Sequence, residues 1–192
     1  MWYRFFRFLF RIMFYSVFRL KVKGKHNVPE TGTVILCCNH LSLLDPPLLG
    51  SPIKRQVHFM AKAELFKVPI IGWLITRFGS FPVKRGGVSK ESIRAALEVL
   101  NQQKIIGIFP EGTRNQENAM AKKGAASLAL KSNAIVIPVA IIGSYTLLRS
   151  MLIVYGKPVD LSEFAGVSSA DNLEKATEMI MSSIRTLISE HK

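Results

Sequence analysis

The chain has 192 residues, 48% of them hydrophobic, and its 26 lysines and arginines against 13 acidic residues give a formal net charge of +13. That length suits one domain with a core of its own, and that composition excludes a disordered chain. The two cysteines, Cys37 and Cys38, are neighbours whose side chains would leave a strand on opposite faces, so they read as small core residues of a reducing compartment rather than a bridge.

Residues 1–159 carry 23 basic and 7 acidic side chains, a balance of +16, while residues 160–192 carry 3 and 6, a balance of −3. A basic body of this kind attracts nucleic acid, an anionic membrane or an acidic substrate or carrier, and charge alone does not choose among them. The first segment does. MWYRFFRFLFRIMFYSVFRL holds nine of the chain's eighteen aromatic residues before position 19. At 100° per residue, Arg4, Arg7 and Arg11 fall in one stripe, with Trp2, Phe5, Phe6, Phe8, Leu9 and Ile12 around the rest of the cylinder. This pattern predicts an amphipathic helix over 1–19 lying in the headgroup plane of a bilayer, arginines towards phosphate. The alternative is a helix packed on the domain. The longest uncharged run, 12–18, is seven residues, against the ~20 that a spanning helix needs. Arginines within the apolar stretch, with no small-residue cleavage site after it, fit a secretory signal poorly. No RNA-binding or helix-turn-helix pattern accompanies the basic residues, so nucleic acid is not the expected partner.

Beyond it, the pattern predicts a short strand at 20–22, a turn through Gly24, Pro29 and Gly32, and a continuous apolar strand at 34–38. Residues 56–62 alternate as a strand, and 68–79 read as a short apolar helix with proline at its start and Gly79 at its end. A short strand precedes the Gly-bounded basic loop with Lys84 and Arg85. Ser89 can cap a helix that lines up Ile93, Ala96, Leu97 and Leu100. Strand 105–109, helix 121–133, strands 134–142 and 151–159, and an amphipathic helix at 170–190 complete the chain. Apolar strands alternating with helices predict an α/β fold: one domain, residues 20–192, with a mostly parallel or mixed central sheet covered on both faces. The uncharged run 132–148 is too short for a membrane span and is broken by Pro138 and Gly143, so it reads as a strand and turn.

Two apolar strands stop abruptly at polar residues. In CCNHLSLLDPPLL (37–49), His40 stands just past the strand and Asp45 follows five residues later. That spacing is poor for a helix, but a turn can bring the two together, and Pro46-Pro47 would set where the next helix starts. A carboxylate on one ring nitrogen holds the tautomer and leaves the other nitrogen free to take a proton. A histidine merely capping the strand end is the alternative. In FPEGTRN (109–115), Gly112 allows close backbone approach, Arg114 offers a planar fork for a phosphate and Glu111 can accept hydroxyl hydrogen bonds; an Arg–Glu pair bracing a turn is the other reading. No Gly-x-Ser-x-Gly is present, which favours a base acting on the substrate's own hydroxyl over a covalent enzyme intermediate.

Taken together and in order, these stretches resemble the glycerolipid acyltransferase family over roughly residues 20–160. The Asn-His-x4-Asp block is Asn39, His40 and Asp45; the block of a glycine, an aromatic residue and a terminal arginine looks like Gly79, Phe81 and Arg85; Phe-Pro-Glu-Gly-Thr-Arg is residues 109–114 without a substitution; and IVIPVA, with Pro138, matches the apolar proline-bearing block. MAKAELF with Lys62 and KKGAA with Lys122 also look like the family, whereas Lys84 stands where many members have an acidic or apolar residue. The resemblance implies that His40, oriented by Asp45, is the general base. Arg85 and Arg114, helped by Lys62 and Lys122, would hold a phosphomonoester. Glu111, Gly112, Thr113, Asn39, Gly79, Phe81 and Pro138 would shape the rest of the substrate site.

The implied reaction moves a fatty acyl group from acyl-CoA or acyl carrier protein to the sn-2 hydroxyl of lysophosphatidic acid, giving phosphatidic acid. Glycerol 3-phosphate or another lysophospholipid is the alternative acceptor, and a non-catalytic phospholipid-binding surface protein the alternative class. No cofactor beyond the acyl donor is implied, and no metal, since His26, His58 and His191 are isolated. The expected location is peripheral or monotopic, on the cytoplasmic face of an anionic membrane.

Overall fold

The run Val34-Ile35-Leu36-Cys37-Cys38 has no polar side, and such a strand is stable only inside a sheet covered on both faces. It lies there in the computed structural model, which describes residues 2–83, 90–110, 119–164 and 169–192. β1 (Lys21–Lys23), β2 (Val34–Cys38), β3 (Val57–Lys62), β4 (Phe81–Val83), β5 (Ile105–Ile108), β6 (Ile135–Ile142) and β7 (Leu152–Tyr155) form one sheet in the order β1-β7-β6-β2-β5-β3-β4. Every pairing is parallel except β6 with β7, so the sheet is mixed, as expected. The five consecutive strands from β6 to β4 run the same way and end at the same edge. In open α/β sheets, ligands bind at that carboxyl edge.

The helices are α1 (Trp2–Val17), α2 (Asp45–Gly50), α3 (Pro69–Arg77), α4 (Lys90–Asn101), α5 (Ala119–Ser132) and α6 (Ala170–His191). Strand alternation divides the core in two. Leu36, Cys38, Val139 and Ile141 meet Phe14 of α1 and Leu48 and Leu49 of α2. Ile35, Cys37, Ile106 and Val136 face Leu100 of α4, Ala126 and Leu128 of α5, and Ile180 and Ile184 of α6. Each such Leu, Ile or Phe contributes roughly 1.5–3 kcal/mol on leaving water. Neither cysteine is in a disulfide and both are buried, and burial pushes the Cys37 thiol up to about 12, which suits an inert core residue.

Several element bounds differ from the sequence pattern. β7 ends at Tyr155 rather than running on, because Gly156 N–H turns back to the Pro138 carbonyl at 2.8 Å and Val159 makes only an isolated antiparallel bridge to Val136. α3 stops at Arg77, since Gly79, at φ +74, takes the left-handed conformation that closes the helix.

The first helix packs on the domain and also presents apolar surface. Phe14 is buried, with Phe10, Met13 and Val17 against the same core. On its opposite side Trp2, Phe5, Phe8, Leu9, Ile12 and Tyr15 stay exposed. The arginine stripe is only partly outward. Arg4 and Arg11 are exposed, but Arg7 turns in and donates to the carbonyls of Ile53, at 3.0 Å, and Lys54. Those carbonyls lie between α2 and β3, outside any helix or strand, where backbone oxygens need donors from elsewhere.

Candidate active site

The end of β2 is anchored before the chemistry begins. Asn39 is buried, its amide nitrogen donating to the Ile141 carbonyl at 2.9 Å and its oxygen accepting from Ile141 N–H at 2.7 Å. Both ends of the side chain are thus occupied by the β6 backbone. These two bonds fix the direction in which His40 leaves the sheet.

The His40 imidazole lies on the Phe109 ring, centroids 4.3 Å apart, and Phe109 in turn lies nearly parallel to Phe59 at 6.2 Å. β5 delivers Phe109 and β3 delivers Phe59. Asp45 is the first residue of α2, with Pro46 and Pro47 pre-setting the helix start. The turn between them curls back, so that Asp45 Oδ2 accepts from His40 Nδ1 at 2.6 Å, Leu41 N–H at 2.6 Å and Ser42 N–H at 2.7 Å. Its other oxygen accepts from the Tyr145 hydroxyl at 2.5 Å. Asp45 is 0% exposed. Four converging donors are what a buried acceptor-only carboxylate needs. Because Oδ2 can only accept, Nδ1 carries the proton and Nε2 holds the lone pair. Nε2 makes no hydrogen bond among the described residues, and the His40 side chain is 17% exposed. The pair therefore offers a free basic nitrogen backed by a fixed carboxylate, the arrangement of a general base.

Tyr145, just beyond β6, was not among the residues read from sequence, and neither was the stacking role of Phe109. Burial first, then the bond to Asp45 and that carboxylate's charge, hold the Tyr145 phenol well above its ordinary range, so it remains a donor.

The other expected site residues scatter. Lys62 is exposed at the end of β3, opposite Val83 of β4 and on the same sheet edge as His40. Gly79 accepts from His58 Nδ1 at 2.9 Å, and its positive φ and the closeness of His58 and Gln56 leave no room for a side chain. Phe81 pairs with Met60 and packs towards the α4 side of the sheet. Pro138 is not brought to the dyad. It lies mid-strand opposite Cys37, its ring towards Gly156 and Leu187 of α6, on the other face from His40. Arg85, Glu111, Gly112, Thr113 and Arg114 lie outside the described residues, as does the Lys122 side chain. Among the described residues no group of three His, Cys, Asp or Glu side chains is placed to hold a metal.

The chain is 33% identical over 174 residues to the 1-acyl-sn-glycerol-3-phosphate acyltransferase of Bacillus subtilis, which covers 88% of this chain and 87% of that one. It is 30% identical over 138 residues to a chloroplastic 1-acyl-sn-glycerol-3-phosphate acyltransferase of Arabidopsis thaliana, 69% of this chain but 38% of the longer plant protein. The fold matches the crystal structure of the 1-acyl-sn-glycerophosphate acyltransferase of Thermotoga maritima with a TM-score of 0.72 and 26% identity, over 99% of this chain and 78% of that one. Residues 19–142, which contain His40, Asp45 and the elements that carry them, match the acyltransferase family model, and the chain belongs to that family.

Proposed function

We propose that this enzyme transfers a fatty acyl group from an acyl thioester to the sn-2 hydroxyl of lysophosphatidic acid, forming phosphatidic acid at a membrane surface. The observation that carries the chemistry is the dyad: His40 Nδ1 is tied to the buried Asp45 at 2.6 Å, and Nε2 is bonded to none of the described residues. Nε2 takes the acceptor's hydroxyl proton as its oxygen attacks the thioester carbonyl. Asp45 stabilises the imidazolium that forms. The tetrahedral intermediate then collapses, the carbon–sulfur bond breaks, and the departing sulfur takes the proton from His40, so that ester and free thiol leave and the base is restored. A positioned base contributes about 10²–10⁴ in rate. Arg85 and Arg114, with Lys62 and Lys122, hold the phosphate, and Glu111, Gly112 and Thr113 contact the glycerol. The donor is acyl-CoA or acyl carrier protein; both are anionic, which suits a body with a charge balance of +16.

The membrane part of the reading is supported by exposed apolar side chains from two helices. Trp2, Phe5, Phe8, Leu9 and Ile12 of α1 and Ile70, Ile71 and Trp73 of α3 are exposed, and the helices meet where the Trp2 and Trp73 indoles lie edge to face at 5.6 Å. A patch of this kind marks an interaction surface. Arg4 and Arg11 beside it suit anionic headgroups. No helix among the described residues is long and apolar enough to cross a bilayer. We place the enzyme on the cytoplasmic leaflet, where acyl-CoA and acyl carrier protein are available.

The test is thiol release by purified protein on anionic vesicles, with each donor, and with lysophosphatidate, glycerol 3-phosphate, another lysophospholipid or no acceptor. Release that needs lysophosphatidate supports the proposal. Release with a different acceptor alone moves the substrate, and vesicle binding without release under any pairing leaves a lipid-surface binder.

A further inference from the structure

The three donors on Asp45 Oδ2 all come from the short segment that holds the dyad itself: His40 Nδ1 and the N–H groups of Leu41 and Ser42. They gather on one oxygen, so by themselves they leave the carboxylate free to rock about its Cβ–Cγ bond and share them with the other oxygen. Among the described residues Oδ1 is held by one group, the Tyr145 hydroxyl at 2.5 Å, from a residue a hundred positions away. We propose that Tyr145 is a positioning residue of the acyl-transfer site, locking the Asp45 carboxylate so that Oδ2 stays on His40 Nδ1. This rests on His40 being the base of the proposed reaction.

Tyr145 is itself well seated. Its ring meets Phe18 edge to face, centroids 5.6 Å apart and planes at 80°. The loop carrying it is clasped to the end of α1 by two backbone bonds, Leu148 N–H to the Val17 carbonyl at 2.8 Å and Met151 N–H to the Phe18 carbonyl at 3.0 Å. Phe18 and Met151 are buried. At its other end the loop leaves β6 after Ile142, next to Ile141, which Asn39 ties to β2. The hydroxyl is therefore fixed from both sides relative to the His40 turn. Buried next to a carboxylate, the phenol keeps its proton well above the ordinary range, so it donates throughout the working pH range and does not compete as a base.

The role differs from a stability contact in one respect: it acts through Asp45. Tyr145→Phe, which keeps the ring, is compared with the wild type for steady-state acyl transfer and thermal unfolding, and the same change is made in an Asp45→Asn background. Loosening a catalytic pair by a fraction of an ångström lowers kcat roughly 10- to 100-fold. KM for lysophosphatidate and for the thioester stays unchanged, because Tyr145 acts through the Asp45 carboxylate, to which its hydroxyl is committed. In the Asp45→Asn background the same change alters kcat less than about twofold, since coupled residues are non-additive. Independently of turnover, the His40 ring N–H proton resonance, identified by its loss in His40→Ala, shifts upfield or broadens in Tyr145→Phe as the 2.6 Å bond loosens.

Wild-type kcat in Tyr145→Phe, an equal fold-loss in both backgrounds, or a lowered melting temperature with unchanged kcat would each show a purely structural tyrosine and overturn the proposal. The resonance separates the two claims. If His40→Ala stays active, the base assignment fails; an unmoved His40 resonance in Tyr145→Phe overturns the positioning role by itself.

Discussion

Gly107 tests whether the aromatic stack seats His40, the proposed general base. It lies in β5, opposite Leu36 of β2 and Phe59 of β3. A Cβ added there would fall 2.8 Å from Cδ1 and 3.0 Å from Cζ of Phe59, and nearer still to Cε1. Carbon atoms rest about 3.5–4.0 Å apart, so the Phe59 ring must move by about 1 Å. It is buried in the core beside Phe109, and the next ring in that stack is His40. Gly107→Ala therefore has two expected effects. Overpacking destabilises the fold by about 1–3 kcal/mol, offset in part by the 0.4–1 kcal/mol or so that alanine gains over glycine through the unfolded chain. Displacement passed along the stack tilts His40, and a misplacement of about 1 Å lowers kcat by up to ~10². Thermal unfolding and thiol-release kinetics read the two separately. Adding Phe59→Leu, which shrinks the obstructing ring, should restore most of the melting temperature and less of kcat, because Phe109 then loses its support. Wild-type kcat together with a wild-type melting temperature in Gly107→Ala would refute this reasoning.

Asp45→Asn can keep an oxygen towards Leu41 and Ser42 N–H while turning its amide to the Tyr145 hydroxyl, so the fold should survive; loss of the charge behind His40 should lower kcat by about 10²–10⁴ with little change in KM, and kcat near wild type would deny Asp45 its role. Ile70, 80% exposed, and Phe8, 59% exposed, lie in the proposed membrane patch. Replacing both with serine should weaken vesicle flotation by at least ~10² while leaving the melting temperature unchanged, and undiminished flotation would remove that patch from the membrane contact. Burial holds the phenols of Tyr3, Tyr145 and Tyr155 above their ordinary value of 10.0. The unfolded chain loses these protons near pH 10 and the native state only higher. The native state therefore binds more protons above pH 10, and the stability present below it declines as pH rises. Tyrosinate absorbance from these three residues should thus appear together with loss of the helical circular-dichroism signal, and ionisation near pH 10 in a still-folded protein would contradict their burial.

What could be read from the chain follows what local sequence controls. VILCC shows no polar face, and a strand with none must sit centrally, where β2 is found. The His40–Asp45 pairing was legible because five residues and two prolines leave a turn few ways to close, and the turn closes on Asp45 Oδ2. Tyr145 was not, since nothing local links position 145 to position 45 until β6 is known to lie beside β2. Asn39 shows a different limit: nothing in the sequence beside His40 says that its amide bonds the backbone of β6. Pro138 fell on the far face because strand parity relative to His40 depends on the β2–β6 register. Arg7 matched an outward stripe, but the carbonyls of Ile53 and Lys54 lie nearly fifty residues away and draw it in.

The most direct test of the account is acyl transfer to lysophosphatidate by wild type and His40→Ala, at equal vesicle-bound protein and with unfolding temperatures measured in parallel. If His40 takes the hydroxyl proton, the variant remains folded and bound while kcat falls by at least about 10². A folded, membrane-bound His40→Ala protein that turns over within a few-fold of wild type would mean that another group takes the proton, and the dyad would lose its place as the catalytic centre.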